Sequence, residues 1–451
     1  MHPWFSKNLV YRPIYTLRGE KVIDYSREVH LFHGLPIEKM EQIQWAKLLK
    51  LLEFAAANNP YYKNLYQHSG LKISQIGDPG DLQTFPFLTK AAIKKDSQSM
   101  ISNGNWRYSA RKTSGSTGTP MHFVKDRIAS AYMDALMYEV YGWHGIKIGD
   151  RQARVWGLPL DLKNRLLIKM KDAALNRKRL EAFDISREKC LRFYGILKQF
   201  RPKFIYGVVN TICEFGRVVL AEGLDPADLG FKLILTTGEN LTPRHRLYLH
   251  EVFKAPVVDE YGTTENGIVA FECRQGKLHL MNHNLFLEFI DPQTEKPAGV
   301  GEIAEVVITE LYSYAFPFIR YRPGDLVRTS ADGCTCGIAS PVIEEVIGRT
   351  SELMVLPDGS RLSSAIVSYA MTKGINKFRT HQKSPNLMEI SLLVNEHFRD
   401  SDIPLIENKL RTRLGNEVAL EIQVVDHLPS DVSGKFREFI SDIRPDNSPA
   451  E

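Results

Sequence analysis

The chain has 451 residues, 43% hydrophobic and 25% charged, with a formal net charge of +5 and a pI near 8.7. That length supports two or three domains, and the mild positive balance suits anionic substrates without implying nucleic acid. Met1 to Lys7 lacks the apolar region of a signal peptide, no apolar stretch approaches a membrane span, and five cysteines do not make a disulfide framework, so a cytoplasmic protein is expected.

The first hundred residues read mostly helical. Apolar residues keep a helical period from Ile37 to Asn58, and the pattern stops at Asn59-Pro60. Phe85 to Lys90 follows, with Thr89 placed to cap a short helix. Residues 113–120 then read Thr-Ser-Gly-Ser-Thr-Gly-Thr-Pro. The hydroxyls of Ser114, Ser116, Thr117 and Thr119, with backbone freedom at Gly115 and Gly118, suit phosphate oxygens, although an ordinary Ser/Gly surface turn has the same composition. The run is not a P-loop, because Thr119 and Pro120 follow Gly118, and it lacks the dinucleotide G-x-G-x-x-G spacing. Ile128 to Trp143 predicts another helix, closed by Gly142 and Gly145.

From 151 to 260 short apolar runs alternate with helical patterns, at Ala153–Trp156, Phe204–Tyr206, Leu233–Thr236 and Ala255–Val258. This is an α/β pattern, with ligand loops expected at strand ends. Lys163 to Arg179 carries seven basic residues against Asp172, interleaved with leucines and an isoleucine. It predicts a basic amphipathic helix or hairpin that lies on an anionic membrane, holds a polyphosphate partner, or is simply solvated. Residues 277–290 and 301–310 predict paired strands. Tyr261 and Glu265 suggest a strand-to-helix turn with a solvated glutamate, though the acids Asp259-Glu260 sit oddly at a buried strand end. Past Gly348-Arg349 the pattern becomes a compact α+β unit, with strands at Glu389–Val394 and Ala419–Val425 around a helix at Ile403–Leu414. The expected domains are 1–347 and 348–451.

The cysteines offer one further grouping. Cys334-Thr335-Cys336-Gly337 forms half of a metal clip, and Cys273 with His279 forms the other, a Cys₃His set suited to structural Zn²⁺. The alternative is unrelated reduced thiols and a surface histidine. Cys190 and Cys213 lie in helical, apolar surroundings and read as core.

Six segments in order carry a family likeness: Thr113–Pro120, Thr237-Gly238-Glu239-Asn240-Leu241-Thr242, Glu260-Tyr261-Gly262-Thr263-Thr264-Glu265, Tyr321-Arg322-Pro323-Gly324-Asp325-Leu326, Gly348-Arg349 and Ser433-Gly434-Lys435. With Asn59-Pro60-Tyr61-Tyr62 and Phe85–Lys90 they cover nearly the whole chain. The chain resembles the AMP-forming adenylating enzymes, specifically the phenylacetate–CoA ligase branch. Leu175–Ser186 is similar to members found in capsular polysaccharide loci.

The resemblance implies an α/β fold, with a large N-terminal domain of α/β layers and a smaller mobile α+β C-terminal domain. It implies activation of a small carboxylic acid by ATP as acyl-AMP, then transfer to a thiol, most usually CoA. An amine on an amino acid or sugar is the alternative acceptor, and an inactive nucleotide-binding scaffold the alternative of another class. By the same resemblance Ser114, Gly115, Ser116, Thr117 and Gly118 hold phosphates, and Gly238-Glu239 runs beside adenine. Tyr261, with Gly262 and Thr263, packs on the base, and Glu265 binds Mg²⁺. Asp325 accepts from the ribose hydroxyls, Arg349 contacts the nucleotide near the hinge, and Lys435 bridges carboxylate and α-phosphate. Trp156-Gly157, Tyr206-Gly207 and the segment around Met281 are placed to line the acyl pocket, or equally to fill core. Monomer and homodimer stay open, as does contact with a membrane or with polysaccharide machinery.

Overall fold

Alternating β-branched and helical segments assemble into a large sheet covered on both faces. The structure is a computed structural model that describes residues 2–113, 121–157, 162–182, 185–350, 353–372, 374–428 and 436–443. Strands β1 (Tyr108–Lys112) and β2 (His122–Asp126) pair antiparallel and flank the Gly/Ser run. Then come β3 (Gln152–Trp156), β4 (Arg177–Glu181), β5 (Phe204–Val208), β6 (Leu233–Thr237) and β7 (Val257–Thr263). They are followed by β8 (Gly267–Glu272), β9 (Leu278–Leu280), β10 (Leu285–Ile290), β11 (Ile303–Glu310), β12 (Asp325–Thr329) and β13 (Val342–Arg349). Strands β3 to β13 form one sheet in the order β10-β11-β12-β13-β9-β8-β7-β6-β5-β3-β4. Its β4-β3-β5-β6-β7 half is parallel, as helical crossovers require, and β8 and β9 continue it antiparallel.

Alternation along the strands divides the core. Phe204, Tyr206, Leu233 and Leu235 face helix Arg127–Trp143, while Ala153, Val155, Ile205 and Ile234 face helices Arg187–Phe200, Val209–Ala221 and Pro243–Phe253. Helix Ile37–Asn58 has the predicted limits, and Thr89 caps Lys90–Lys95 by accepting from the Ala92 N–H. Helix Arg127–Trp143 runs through Gly142 and begins at Asp126, whose side chain accepts from the Ala129 N–H.

Three expectations change. Residues 277–290 are two strands, because a turn at 281–284 separates β9 from β10, and only β10 pairs with β11. The strand expected at Ala255–Val258 starts later and runs to Thr263. The basic stretch is neither one helix nor a hairpin. It is helix Leu162–Ala174 followed by the edge strand β4, with Arg179 held by both Asp172 oxygens at 2.6 and 3.0 Å. Arg165 is drawn to Glu181 at 2.9 Å, so part of the basic charge serves the fold.

The chain divides into two compact units, Met1–Pro323 with Val327–Val346, and Gly324–Leu326 with Ile347–Glu451. The second contains β14 (Leu353–Val355), β15 (Arg361–Ser363), β16 (Ile375–Ser384), β17 (Leu387–Val394), β18 (Ala419–Val424) and β19 (Phe439–Ser441). Its four-stranded sheet runs β18-β17-β16-β19, and helices Ala365–Ala370 and Asp402–Leu414 supply Val367, Ile406 and Leu410 to a core with Phe378, Ile390 and Phe439.

Asn59 explains the Asn-Pro-Tyr-Tyr motif structurally. It is fully buried, caps helix Pro60–His68 by accepting from the Tyr62 N–H, and donates to Met100 O at 2.8 Å and Ser102 Oγ at 3.0 Å. Asn59→Ala loses the cap and strands two buried acceptors, so it should destabilise the large unit by about 2–4 kcal/mol. Urea unfolding followed by tryptophan fluorescence measures that loss.

Candidate active site

In an open parallel sheet, ligands bind beyond the carboxyl ends of the strands, where backbone groups are freed by the crossovers. The ends of β6 and β7 carry two of the family-like motifs. After β6 the backbone turns at Gly238, whose φ of +77° favours glycine. Glu239 then points at the start of helix Val209–Ala221, and its Oε2 accepts from the Asn210 N–H at 2.9 Å and the Asn210 amide at 3.0 Å. Its carboxylate therefore serves a helix N-terminus, where negative charge is favoured.

Beyond β7 the chain makes a hairpin, not a strand-to-helix turn. Residues 264–266 form the turn into β8, and the ladder bulges between Tyr261 and Gly262. Such bulges re-aim side chains. At Gly262 a Cβ would lie 2.5 Å from the Gly267 carbonyl oxygen, so only glycine fits. Thr263 Oγ1 closes the turn by accepting from the Asn266 N–H at 3.0 Å. Tyr261 is buried in the core beside helix Arg127–Trp143. Glu265 is also buried, contrary to a solvated turn glutamate, and its Oε1 accepts from the Tyr321 hydroxyl at 2.7 Å. Its other oxygen makes no hydrogen bond among the described residues. Asn266 donates to Glu310, which is ion-paired to the fully buried Lys125 on β2.

Tyr321 is itself immobilised. Ile308 and Tyr321 exchange backbone hydrogen bonds of 2.8 Å, while Leu88 N–H donates to Arg320 O and Arg322 N–H to Leu88 O, each at 2.9 Å. Arg320 is fully buried, pairs with Glu288 at 2.9 Å, donates to Phe85 O and lies over the Phe87 ring. Tyr62 donates to Pro317 O and accepts from the Ile319 N–H. The motifs Asn59–Tyr62 and Phe85–Lys90 thus fix the segment that presents Tyr321 to Glu265. Lys125, Glu310 and Arg320 escaped the sequence reading, since lone charges in apolar runs look like strand-end surface residues.

The acids before Tyr261, Glu260 buried and Asp259 half-buried, have partners. Tyr141 and Tyr206 hydroxyls donate to Glu260 at 2.9 and 3.0 Å, and burial raises its pKa. Asp259 is pushed up to about 7 by burial and by Glu272 beside it. Trp156 stacks on Tyr206 at 5.6 Å, with the Arg154 guanidinium against both rings, whereas Met281 is fully buried core.

In the second unit, Asp325 follows Gly324, whose φ is +82°, and Arg349 Nε lies 3.6 Å from Asp325 Oδ1. The two predicted nucleotide-contacting residues are therefore neighbours there. Ser114, Gly115, Ser116, Thr117, Gly118 and Lys435 lie outside the described residues.

Cys273, His279, Cys334 and Cys336 converge, their ligand atoms all within 4.8 Å of one another. Cys273 and Cys334 sulfurs are 3.7 Å apart, close to the roughly 3.8 Å between two sulfurs bound tetrahedrally at about 2.3 Å from zinc. His279 Nε2 is 3.3 Å from Cys336 Sγ, and Nδ1 faces Ser340 O at 3.0 Å. That carbonyl fixes the tautomer that leaves the Nε2 lone pair for a metal. His279 is fully buried, not a surface histidine. Cys190 and Cys213 are core, with thiols pushed up by burial to about 11 and 12.

Residues 355–442 match the family model described as CapK C-terminal domain. Protein CapK of Staphylococcus aureus is 21% identical over 413 residues, covering 89% of each chain. Phenylacetate-coenzyme A ligase of Thermus thermophilus is 23% identical over 344 residues, covering 71% of this chain and 73% of that one. Among solved structures, 2-hydroxyisobutyryl-CoA ligase in its postadenylation state superposes with a TM-score of 0.77 at 18% identity, covering 90% of each chain. The fold is that of the adenylate-forming CoA ligases. The resemblance read from the motifs, to the phenylacetate–CoA ligase branch and its capsule-related members, is borne out. In the large unit the ends of β6 and β7 and the Tyr321–Glu265 contact form the candidate site.

Asp259 gives a pH test. An ordinary Asp titrates near 4 when unfolded. With the folded pKa near 7, the native state binds the extra proton between those values, so stability falls as pH rises from about 4 to 7. Asp259→Asn should remove that slope and gain on the wild type by a few kcal/mol across this window. Denaturation midpoints of both proteins from pH 4 to 8 measure the difference.

Proposed function

We propose that this chain activates a carboxylic acid with ATP and transfers the acyl group to CoA. The carboxylate oxygen attacks the α-phosphorus, the bond to the β-phosphate bridge breaks, and pyrophosphate leaves with that electron pair. A thiolate then attacks the carbonyl carbon of the acyl-AMP, and AMP departs. The observation that carries the reading is the buried Glu265 carboxylate at the end of the parallel strands, held on one oxygen by Tyr321. The fold likeness and the phenylacetate-coenzyme A ligase relatives support it.

Each residue has a role in this reading. The Glu265 oxygen that does not accept from Tyr321 would bind Mg²⁺, a hard cation that prefers oxygen and accompanies phosphates, and the bound ion would offset phosphate charge. Tyr321 orients that carboxylate. Asp325, an acceptor-only group, takes the ribose hydroxyls, and Arg349 beside it contacts the nucleotide. Ser114 to Gly118 hold the leaving phosphates. Lys435 acts as a mobile point charge between carboxylate and α-phosphate, where charge develops in the transition state. Zn²⁺ at Cys273, His279, Cys334 and Cys336 is structural, because four protein ligands leave no open position.

A second reading concerns only the acceptor. The likeness of Leu175–Ser186 to members found in capsular polysaccharide loci suggests an amine on a sugar or amino acid in surface polysaccharide synthesis. Product assays with CoA, amino acids and amino sugars separate the two.

Lys435→Ala should lower acid-dependent pyrophosphate release at least a hundredfold while ATP affinity changes less than threefold, because its contact belongs to the transition state. Activity within twofold of wild type contradicts the role. For the clip, elemental analysis should give about one zinc per chain. Cys334→Ser should release it and lower the melting temperature, since metal binding here stabilises the fold; five freely titrating thiols and no metal contradict it.

A further inference from the structure

Large apolar side chains stand in solvent on two adjoining helical segments of the large unit. Along Pro3–Arg18, Trp4 is 59% exposed, Phe5 50%, Leu9 64% and Leu17 85%. On helix Leu162–Ala174, Leu166 is 61% exposed, Leu167 54% and Met170 62%. The last three are spaced i, i+1 and i+4, which puts them on one helix face. The segments adjoin because the Tyr11 hydroxyl reaches Leu175 O at 3.3 Å, and Asn176 donates to the carbonyl of Gly149, against which Pro3 and Ser6 pack. Monomeric soluble proteins rarely expose so many large apolar groups together without a binding purpose.

The charge around these side chains is mostly positive. Residues 2–19 contain Lys7, Arg12 and Arg18 and no acid, although Arg18 lies 3.3 Å from Glu20 just beyond them. Residues 162–179 contain seven basic residues and one acid, Asp172, which pairs with Arg179, while Arg165 pairs with Glu181. Arg12, Lys169, Lys171 and Lys178 are exposed. Tryptophan, phenylalanine and leucine amid lysine and arginine are what an interfacial helix presents to lipid headgroups. A second copy of this face would bring like charges together across a two-fold contact. A soluble polyanion would leave Trp4, Phe5 and the leucines in water.

We propose that this face seats the protein on an anionic membrane surface. Trp4, Phe5, Leu9, Leu166, Leu167 and Met170 enter the boundary between headgroups and acyl chains, and Arg12 and the surrounding lysines meet the lipid phosphates. No helix among the described residues is long and apolar enough to cross a membrane, so the attachment is peripheral and reversible.

The full chain is tested by sedimentation with vesicles of phosphatidylcholine alone or with about a third phosphatidylglycerol, at about 0.1 M and about 1 M salt. The wild type should sediment with the anionic vesicles at low salt, at least tenfold more than with neutral ones, and detach at high salt as screening shortens the field. Leu166→Ser/Leu167→Ser/Met170→Ser and, separately, Trp4→Ser/Phe5→Ser should each weaken binding at least tenfold, as should Lys169→Glu/Lys171→Glu. All these positions are exposed, so melting temperature and adenylation without vesicles should stay at wild-type values. Wild type left in the supernatant overturns the proposal, as does unaltered binding by both apolar variants. It also falls if ultracentrifugation without lipid shows a wild-type dimer that the apolar variants abolish, since the face would then be a contact between copies.

Discussion

The contact between Tyr321 and Glu265 organises the candidate site in the large unit. A carboxylate on a turn would ordinarily wander through solvent. Here it is buried and fixed by a hydroxyl whose own backbone pairs with Ile308 while its neighbours pair with Leu88. Arg320 prevents that segment from shifting, because its buried guanidinium is tied to Glu288 and to Phe85 O. Breaking one partner of a buried ion pair strands the other charge, typically at about 3–5 kcal/mol. The segment is therefore held by interactions too costly to release one at a time, and the Glu265 carboxylate keeps a single orientation. In the proposed reaction such preorganisation would let this carboxylate act without reorganising.

The same economy extends to the acids around β7. Glu260 is satisfied by Tyr141 and Tyr206, while the half-buried Asp259 lies beside the buried Glu272, with Arg246 nearby. These groups pin the strand whose end bears Tyr261 and Gly262. A polar layer that is well hydrogen-bonded rigidifies a core, and rigidity at the strand end fixes the bulge that aims the hairpin. On the other side of the hairpin, the thiols and imidazole at Cys273, His279, Cys334 and Cys336 join the turn after β8 to the segment before β13.

Much of this was legible in the chain, for identifiable reasons. Period and capping residues located helix Ile37–Asn58 and the Thr89 cap because both are local. The apolar runs named strands β3, β5 and β6. Spacing singled out the four Cys/His residues, since ligand chemistry leaves few other uses for them. What escaped is non-local. Nothing near Glu265 announces that Tyr321 will hold it, and Lys125 gives no sign that it pairs with Glu310. The motif Asn59–Tyr62 reads as a signature, yet its work is to cap a helix and tether Pro317 and Ile319. The hairpin after β7 was mistaken for a helix start because a glutamate just past a glycine is also a common helix opening.

Replacing Tyr321 with phenylalanine tests the central claim most directly, because it removes one hydroxyl and keeps the ring. Acid-dependent pyrophosphate release should be measured against Mg²⁺ concentration for both proteins, with melting temperature as the control for folding. The account predicts a half-saturating Mg²⁺ concentration raised several-fold with a melting temperature within a few degrees of wild type. An unchanged Mg²⁺ requirement in a folded Tyr321→Phe protein would contradict it.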